Sequence, residues 1–308
     1  LKAVVIGAGH MGRYHADKLA ALEGVALAGV VDADRSRASE LAQKHGCPAF
    51  SDFREILTGK ADAAVVAVPT DRHYEIASAC LEAGMHVLIE KPIATSLEEA
   101  DALIALAARE KRVLQVGHVE RYSRAFRALA GRMDRPVFLE AERLSGFKQR
   151  GAEVDVVLDL MIHDLDLAAA LARAEVLDVS ACGFRVLTGD IDIANARIEF
   201  ANGCVANLSA SRVSQAPVRK LRVFQSDLYV SADLQKGSLR YVRRSAGGIE
   251  QTEERHEGGD ALAAQAQAFV SSITQKAPVE VDGLQGRKVL ALALDVGRLV
   301  RERLKRFE

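Results

Sequence analysis

Two short stretches carry side chains whose types and spacing suit chemistry better than packing. The first is HVLIEKPIATS, residues 86–96, where the apolar run of a short buried strand ends directly on Glu90, Lys91 and Pro92. A lysine anchored at a strand end has a fixed stem. Its ammonium can polarise a substrate hydroxyl, or deprotonate it once burial brings its pKa down from about 10.4. Pro92 sets the following backbone rigidly, and a cis Lys91–Pro92 bond fits there. Glu90 can pair with Lys91 or act as a packing and hydrogen-bonding partner. The second stretch is DVVLDLMIHDLDLAAAL, residues 155–171. At roughly 100° per residue, Asp155, Asp159, His163 and Asp166 fall on one stripe about 80° wide. The remaining circumference is apolar, apart from Asp164 on the far side. A helix apolar nearly all round is buried, so such a stripe is expected to face a polar cavity. Acid–base work needs an imidazole within reach of a substrate proton and a carboxylate one turn away to set its orientation and charge. Asp159 and His163 at i, i+4 would also suit two metal ligands. No H-E-x-x-H or similar spacing supplies the rest, so no metal is expected.

The elements that must hold these residues are legible in the first 118 residues. AVVIG, VALAGVVD, AAVVAVP, HVLIE and VLQVG alternate with amphipathic segments, which predicts a parallel α/β sheet. Met11, His15, Leu19 and Leu22 form a helix face that packs on that sheet. Gly7, Gly9 and Gly12 make G-x-G-x-x-G directly after the first strand, with His10 and Met11 inside the turn. Gly7 permits the tight turn, Gly9 lets backbone approach a pyrophosphate, and Gly12 lets helix and strand pack closely, while the helix N-terminus favours negative charge. Asp32 ends the second strand, 20 residues after Gly12, where a carboxylate can accept both hydroxyls of an adenosine ribose. That points to NAD; Arg35 and Arg37 keep NADP as the alternative, unless they are solvated charges opening a helix. Pro69, Thr70 and His73 follow another strand at its carboxyl end, where ligands sit in open α/β sheets. They are candidates for cofactor contact; a helix cap at Thr70 and an exposed His73 are the plainer readings.

From about residue 136 the texture changes to PVFLEAERL, ANARIEFANG, CVANLSASRV, KLRVFQSDLYVSA and GSLRYVRR, separated by turn signals. This predicts a mostly antiparallel open sheet, with a helix near 154–171 preceding most of its strands and a last helix near 285–306 closing the chain. The fold class expected is therefore an α/β Rossmann domain, residues 1–120, plus an α+β domain, residues 121–308, with the last helix available to pack back on the first. At 308 residues two domains are the expected number. A net charge of −1 argues against nucleic acid as a partner, and no apolar run approaches the roughly 20 residues of a membrane span. The opening LKAVVIGAG reads as a first strand rather than a signal-peptide core. Cys47, Cys80, Cys182 and Cys204 have no C-x-x-C spacing, which suits a reducing cytoplasm.

Taken together, the glycine fingerprint, the E-K-P at 90–92 and the LD-x-x-x-H-D-x-D helix resemble the Gfo/Idh/MocA family of NAD(P)-dependent oxidoreductases along the whole chain. The resemblance implies that Lys91, Asp159 and His163 meet in one interdomain cleft, with the lysine between nicotinamide and substrate. VGHVERY, 116–122, with VVLDLMIHDLDL, looks more like the branch that oxidises the 3-hydroxyl of UDP-N-acetylglucosamine. His118, Glu120 and Arg121 are then candidate substrate contacts, or else a domain hinge. Met161 stands where many relatives carry glycine, which should narrow the substrate cleft. A nucleotide sugar also needs phosphate partners, for which Arg121, Arg124, Arg143, Arg240, Arg243 and Arg244 are candidates. The expected activity is hydride transfer between a sugar carbinol and NAD, by a homodimer or homotetramer. Action on another sugar or inositol, a tetrapyrrole reductase, or a non-catalytic cofactor-binding regulator are the alternatives.

Overall fold

A computed structural model of the chain describes residues 1–147, 154–256 and 258–307. Strands β1 (Lys2–Ile6), β2 (Ala26–Val31), β3 (Ala49–Phe50), β4 (Ala63–Val66), β5 (His86–Glu90) and β6 (Leu114–Gly117) form a parallel sheet in the order β3-β2-β1-β4-β5-β6. Helices α1 (His10–Ala20), α2 (Arg35–His45), α3 (His73–Glu82) and α4 (Leu97–Glu110) alternate with the strands. Central strands are buried on both faces, which is why their sequences are continuously apolar rather than alternating. The strand order reverses between β1 and β4, so the ligand-binding edge expected of such sheets lies at the carboxyl ends of those two strands.

The second sheet has eight strands: β7 (Phe138–Leu144), β8 (Val176–Phe184), β9 (Ile193–Phe200), β10 (Val205–Ser211), β11 (Val218–Gln225), β12 (Leu228–Asp233), β13 (Ser238–Ser245) and β14 (Gly248–Arg255). Their order is β14-β13-β12-β11-β7-β10-β9-β8, antiparallel except for the β7–β10 pair. One face is apolar and buried, carrying Leu139, Ala141, Leu208, Leu221, Val223 and Val230. Helices α5 (Arg124–Ala130) and α6 (Ile162–Ala172) pack on strands of this sheet. Both sheets match the expected fold class.

The chain then returns to the first sheet. Helix α7 (Ala261–Thr274) places Ala266, Phe269 and Val270 in one core with Ala3, Val5, Ala16 and Leu19. Each buried Val, Leu or Phe side chain among them contributes about 1.5–3 kcal/mol. Lys18 pairs with Asp260, the residue capping α7, at 2.7 Å. Val116 N–H donates to Val281 O at 2.9 Å along the free edge of β6, and the long helix α8 (Gly283–Leu304) follows. By their contacts, Leu1–Val119 and Asp260–Leu290 form one unit, and Glu120–Gly259 with the chain from Ala291 forms the other. The residue pattern predicts a second domain from 121 with the last helix, 285–306, available to pack back on the first; the segment that groups with the first unit by its contacts is Asp260–Leu290, which includes α7. No helix among the described residues is long and apolar enough to cross a membrane.

Candidate active site

In the first unit, the turn between β1 and α1 is shaped as its glycines require. Gly7 has φ +100°, and a Cβ there would lie 2.3 Å from Ala67 O; a Cβ on Gly12 would lie 1.6 Å from Gly7 O. Both positions exclude a side chain for reasons internal to the protein. Gly9, the residue before α1, is different: a Cβ there would meet nothing within 4 Å. Glycine at that position leaves open space directly in front of a helix N-terminus, which fits a dinucleotide pyrophosphate. His10 is exposed with its ring edge-on to Tyr14, and Met11 is half-buried. Asp32 is held at the end of β2: Ala8 N–H donates to its Oδ2 at 2.7 Å and Asp34 N–H to its Oδ1 at 2.8 Å. Each carboxylate oxygen keeps a further lone pair, so ribose hydroxyls can still donate to it. Arg37 pairs with Asp34 at 3.2 Å.

Thr70 opens a short 3₁₀ turn, Thr70–Arg72, without any side-chain cap bond. His73 is not exposed. It is buried, its Nδ1 lies 2.8 Å from Pro92 O and its Nε2 lies 3.0 Å from Val68 O. Burial pushes its pKa down, against the pull of the two carbonyls, and a neutral imidazole donates to only one of them at a time. Lys91 is half-buried at the end of β5, and the Lys91–Pro92 bond is cis. Glu90 pairs with His15: Nε2–H donates to Oε1 at 2.7 Å, with the ring fully buried. His15, read from periodicity as one more packing residue, is thus a polar partner that its spacing could not reveal. Gly117 explains part of VGHVERY, since a Cβ there would come within 3.0 Å of the Glu90 carboxylate. His118, next in line, is buried.

In the second unit, the stripe of four polar residues is not a single α-helical face. Val157–Met161 is a π-turn, one residue wider than an α-turn, and the regular helix begins at Ile162. Asp155 lies before it and acts as its cap: Val157 and Leu158 N–H both donate to Oδ1 at 3.0 Å, while Arg301 holds Oδ2 at 3.0 Å. Asp166 is buried against Arg121 at 3.4 Å. Only Asp159 and His163 of the four are half-buried; Asp155 and Asp166 are buried and engaged in the contacts just given. Met161, expected to crowd the substrate, is fully buried.

Asp164, set aside as the odd residue, is the centre of a buried ion network. Arg143 on β7 binds it through two parallel bonds of 3.0 and 2.9 Å and reaches Glu120 at 3.0 Å, which Arg219 also approaches at 3.4 Å. Burial lowers the Arg143 pKa, but the two carboxylates outweigh it and hold the guanidinium protonated, above its ordinary range. Arg143 is therefore committed internally and is withdrawn as a phosphate anchor; Glu120 and Arg121 tie the start of the second unit to α6. Arg240 and Arg243 are engaged with Gln251 and Glu250 of β14. Among the described residues no group of three or more His, Cys, Asp or Glu is arranged to hold a metal ion.

Comparison with known proteins follows the same division. Residues 1–118 match the Gfo/Idh/MocA oxidoreductase family model, described as an NAD-binding Rossmann fold, and residues 126–230 match the family's C-terminal domain. The chain is 42% identical to the UDP-N-acetylglucosamine 3-dehydrogenase of Acidithiobacillus ferrooxidans, with 99% of each chain covered. A solved structure of that enzyme superposes with a TM-score of 0.93 over 97% of each chain. The scyllo-inositol 2-dehydrogenase of Bacillus subtilis is 31% identical over 70% of this chain and 68% of its own. With both halves matched and its glycine cradle intact, the chain belongs to the Gfo/Idh/MocA family of NAD-binding oxidoreductases.

Proposed function

We propose that this chain is an NAD-dependent dehydrogenase of a sugar carbinol, and that its substrate is the 3-hydroxyl of UDP-N-acetylglucosamine. The similarity to the Acidithiobacillus ferrooxidans enzyme, at 42% identity over 99% of both chains, is the observation that carries the substrate. Gly7, Gly9 and Gly12 would hold the NAD pyrophosphate at the start of α1, Asp32 the adenosine ribose, and the turn from Pro69 to His73 and the Glu90–Lys91 pair would border the remainder. When bound, NAD supplies the hydride acceptor. Lys91 polarises the carbinol oxygen, and His163 takes the hydroxyl proton as the carbon gives up its hydride. Asp159 orients the imidazole and stabilises its charged form. The carboxylate at 32 suits NAD rather than NADP, since it would repel a 2′-phosphate. Four free thiols suit a reducing cytoplasm.

The test is a panel of nucleotide sugars, free sugars and inositols, followed by NADH absorbance with a transaminase and amino donor added to remove the keto product. UDP-N-acetylglucosamine is expected to exceed free N-acetylglucosamine in kcat/KM by about a hundredfold, because remote contacts to the diphosphate contribute to transition-state binding. Turnover of an inositol with none on any UDP-sugar would replace the substrate while leaving the dehydrogenase in place.

We further propose a homodimer or homotetramer built on the outward face of the second sheet. That face is not uniformly apolar: Phe138, Phe224 and Tyr229 form an aromatic cluster with ring centroids 5.6 and 4.7 Å apart, beside Arg222 paired to Glu140 at 2.7 Å. Aromatic residues and arginine together are the composition of interface centres. Sedimentation velocity is expected to show a dimer or larger; a monomer at every concentration would refute the assembly.

A further inference from the structure

We infer that His15 is a positioning residue for Lys91, acting through Glu90 from the helix that opens on the phosphate cradle. This rests on Lys91 acting on the substrate, as proposed above. His15 lies on α1, one turn beyond Gly12, with none of its surface exposed. Its Nε2–H donates to Glu90 Oε1 at 2.7 Å, and Lys91 N–H approaches Glu90 Oε2 at 3.3 Å. On the other side of Lys91, Pro92 O faces the buried ring of His73, 2.8 Å from Nδ1. Both neighbours of the lysine therefore lie against buried imidazoles, one from α1 and one from α3, the latter donating to Pro92 O when His73 carries its proton on Nδ1. Gly117 keeps clear the space that the Glu90 carboxylate occupies.

Stability alone does not account for this arrangement. A pair of apolar side chains of similar volume would fill the same space without the desolvation penalty of a buried carboxylate and imidazole. What an apolar pair cannot do is fix the backbone at residue 91 with directed bonds. A misplacement of about 1 Å at a reacting group can cost on the order of a hundredfold in rate. The pair also makes the lysine's seat and the dinucleotide's seat parts of one buried contact.

The experiment compares His15→Ala, His15→Gln, Glu90→Gln and Lys91→Ala with the unaltered chain. Three quantities are measured: kcat on the best substrate of the panel, NADH affinity by fluorescence titration, and melting temperature. His15→Ala is expected to lower kcat by about 10- to 100-fold while NADH affinity stays within about threefold. His15→Gln, whose side-chain amide can still donate to Glu90, should recover most of that loss. If His15→Ala does not fold, Glu90→Gln, which keeps the shape but has only one oxygen to accept from either His15 Nε2–H or Lys91 N–H and so breaks the link between them, carries the same comparison and should show the same split. An NADH affinity that falls in step with kcat, a kcat unchanged in folded His15→Ala or Glu90→Gln, or no recovery by glutamine would each overturn the inference. Lys91→Ala separates the two levels: if it keeps turnover, the role of the lysine itself fails, whereas an inactive Lys91→Ala beside a fully active His15→Ala removes only the positioning pair.

Discussion

Replacing Lys91 or His163 with alanine is expected to lower kcat by about a thousandfold each, within the 10²–10⁴ range for a lost proton-transfer or polarising group. Both residues are assigned to the substrate's oxygen, and neither belongs to the glycine cradle or to the Asp32 contacts. NADH affinity should consequently hold within about threefold, which is the pattern of an interaction made in the transition state only. Asp159→Asn should be milder, about tenfold, because it removes the charge that steadies the imidazole without removing the imidazole. Steady-state kinetics with a parallel NADH titration decides the matter. Near-normal turnover in Lys91→Ala would discard the lysine, and a loss of NADH binding equal to the loss of rate would move it from substrate to cofactor.

Arg143→Met should destabilise the protein by about 3–5 kcal/mol in urea unfolding at neutral pH, since it strands the Asp164 carboxylate in the interior. Burial already pushes that carboxyl up and Arg143 holds it down. Without the guanidinium, Asp164 should have a folded pKa well above its unfolded one. Such a group favours folding in its protonated form, so the deficit of the variant is largest at neutral pH and shrinks as pH falls towards the ordinary carboxylate range. Adding Asp164→Leu should restore part of the lost stability at neutral pH and flatten the pH dependence of the deficit. A loss below about 1 kcal/mol in the single variant would mean that the network relaxes or admits water.

The parts of the site that lie close together in the chain could be read from it. The glycine turn, the lysine at the end of β5 and the D-x-x-x-H spacing are local patterns, and local patterns survive in one dimension. The parallel strands of the first half are apolar throughout because they are covered on both faces, and they too are visible. Strand β14, GIEQTEER, is not: it is an exposed edge strand with no buried row to impose alternation. Strand β3 has two residues, too few to carry a period. Helix α7 shows nothing in its sequence of the sheet it joins. The π-turn at 157–161 was out of reach for a different reason, because a wider turn has no composition of its own and a helical wheel assumes one period throughout. Asp155 lies before that turn and caps it, and Asp166, in the regular helix with His163, is buried against Arg121, so neither is the partner of Asp159 and His163 that the wheel makes it. The pairs Arg143–Asp164 and His15–Glu90 join residues 21 and 75 positions apart, and no pattern of types announces them.

The return of 260–290 to the first unit bears on the order in which the chain can be made. A ribosome delivers the sheet and α1 first, then 140 further residues, and only afterwards the Ala266, Phe269 and Val270 that share a core with Ala16 and Leu19. At about 5–20 residues per second the interval is roughly 7–28 s. Through that time the nascent first half must hold an apolar flank open to water, next to the parallel strands whose pairing is already slow to establish. Its solubility during synthesis then depends on what shelters that flank, and truncation before residue 260 would leave it bare for good.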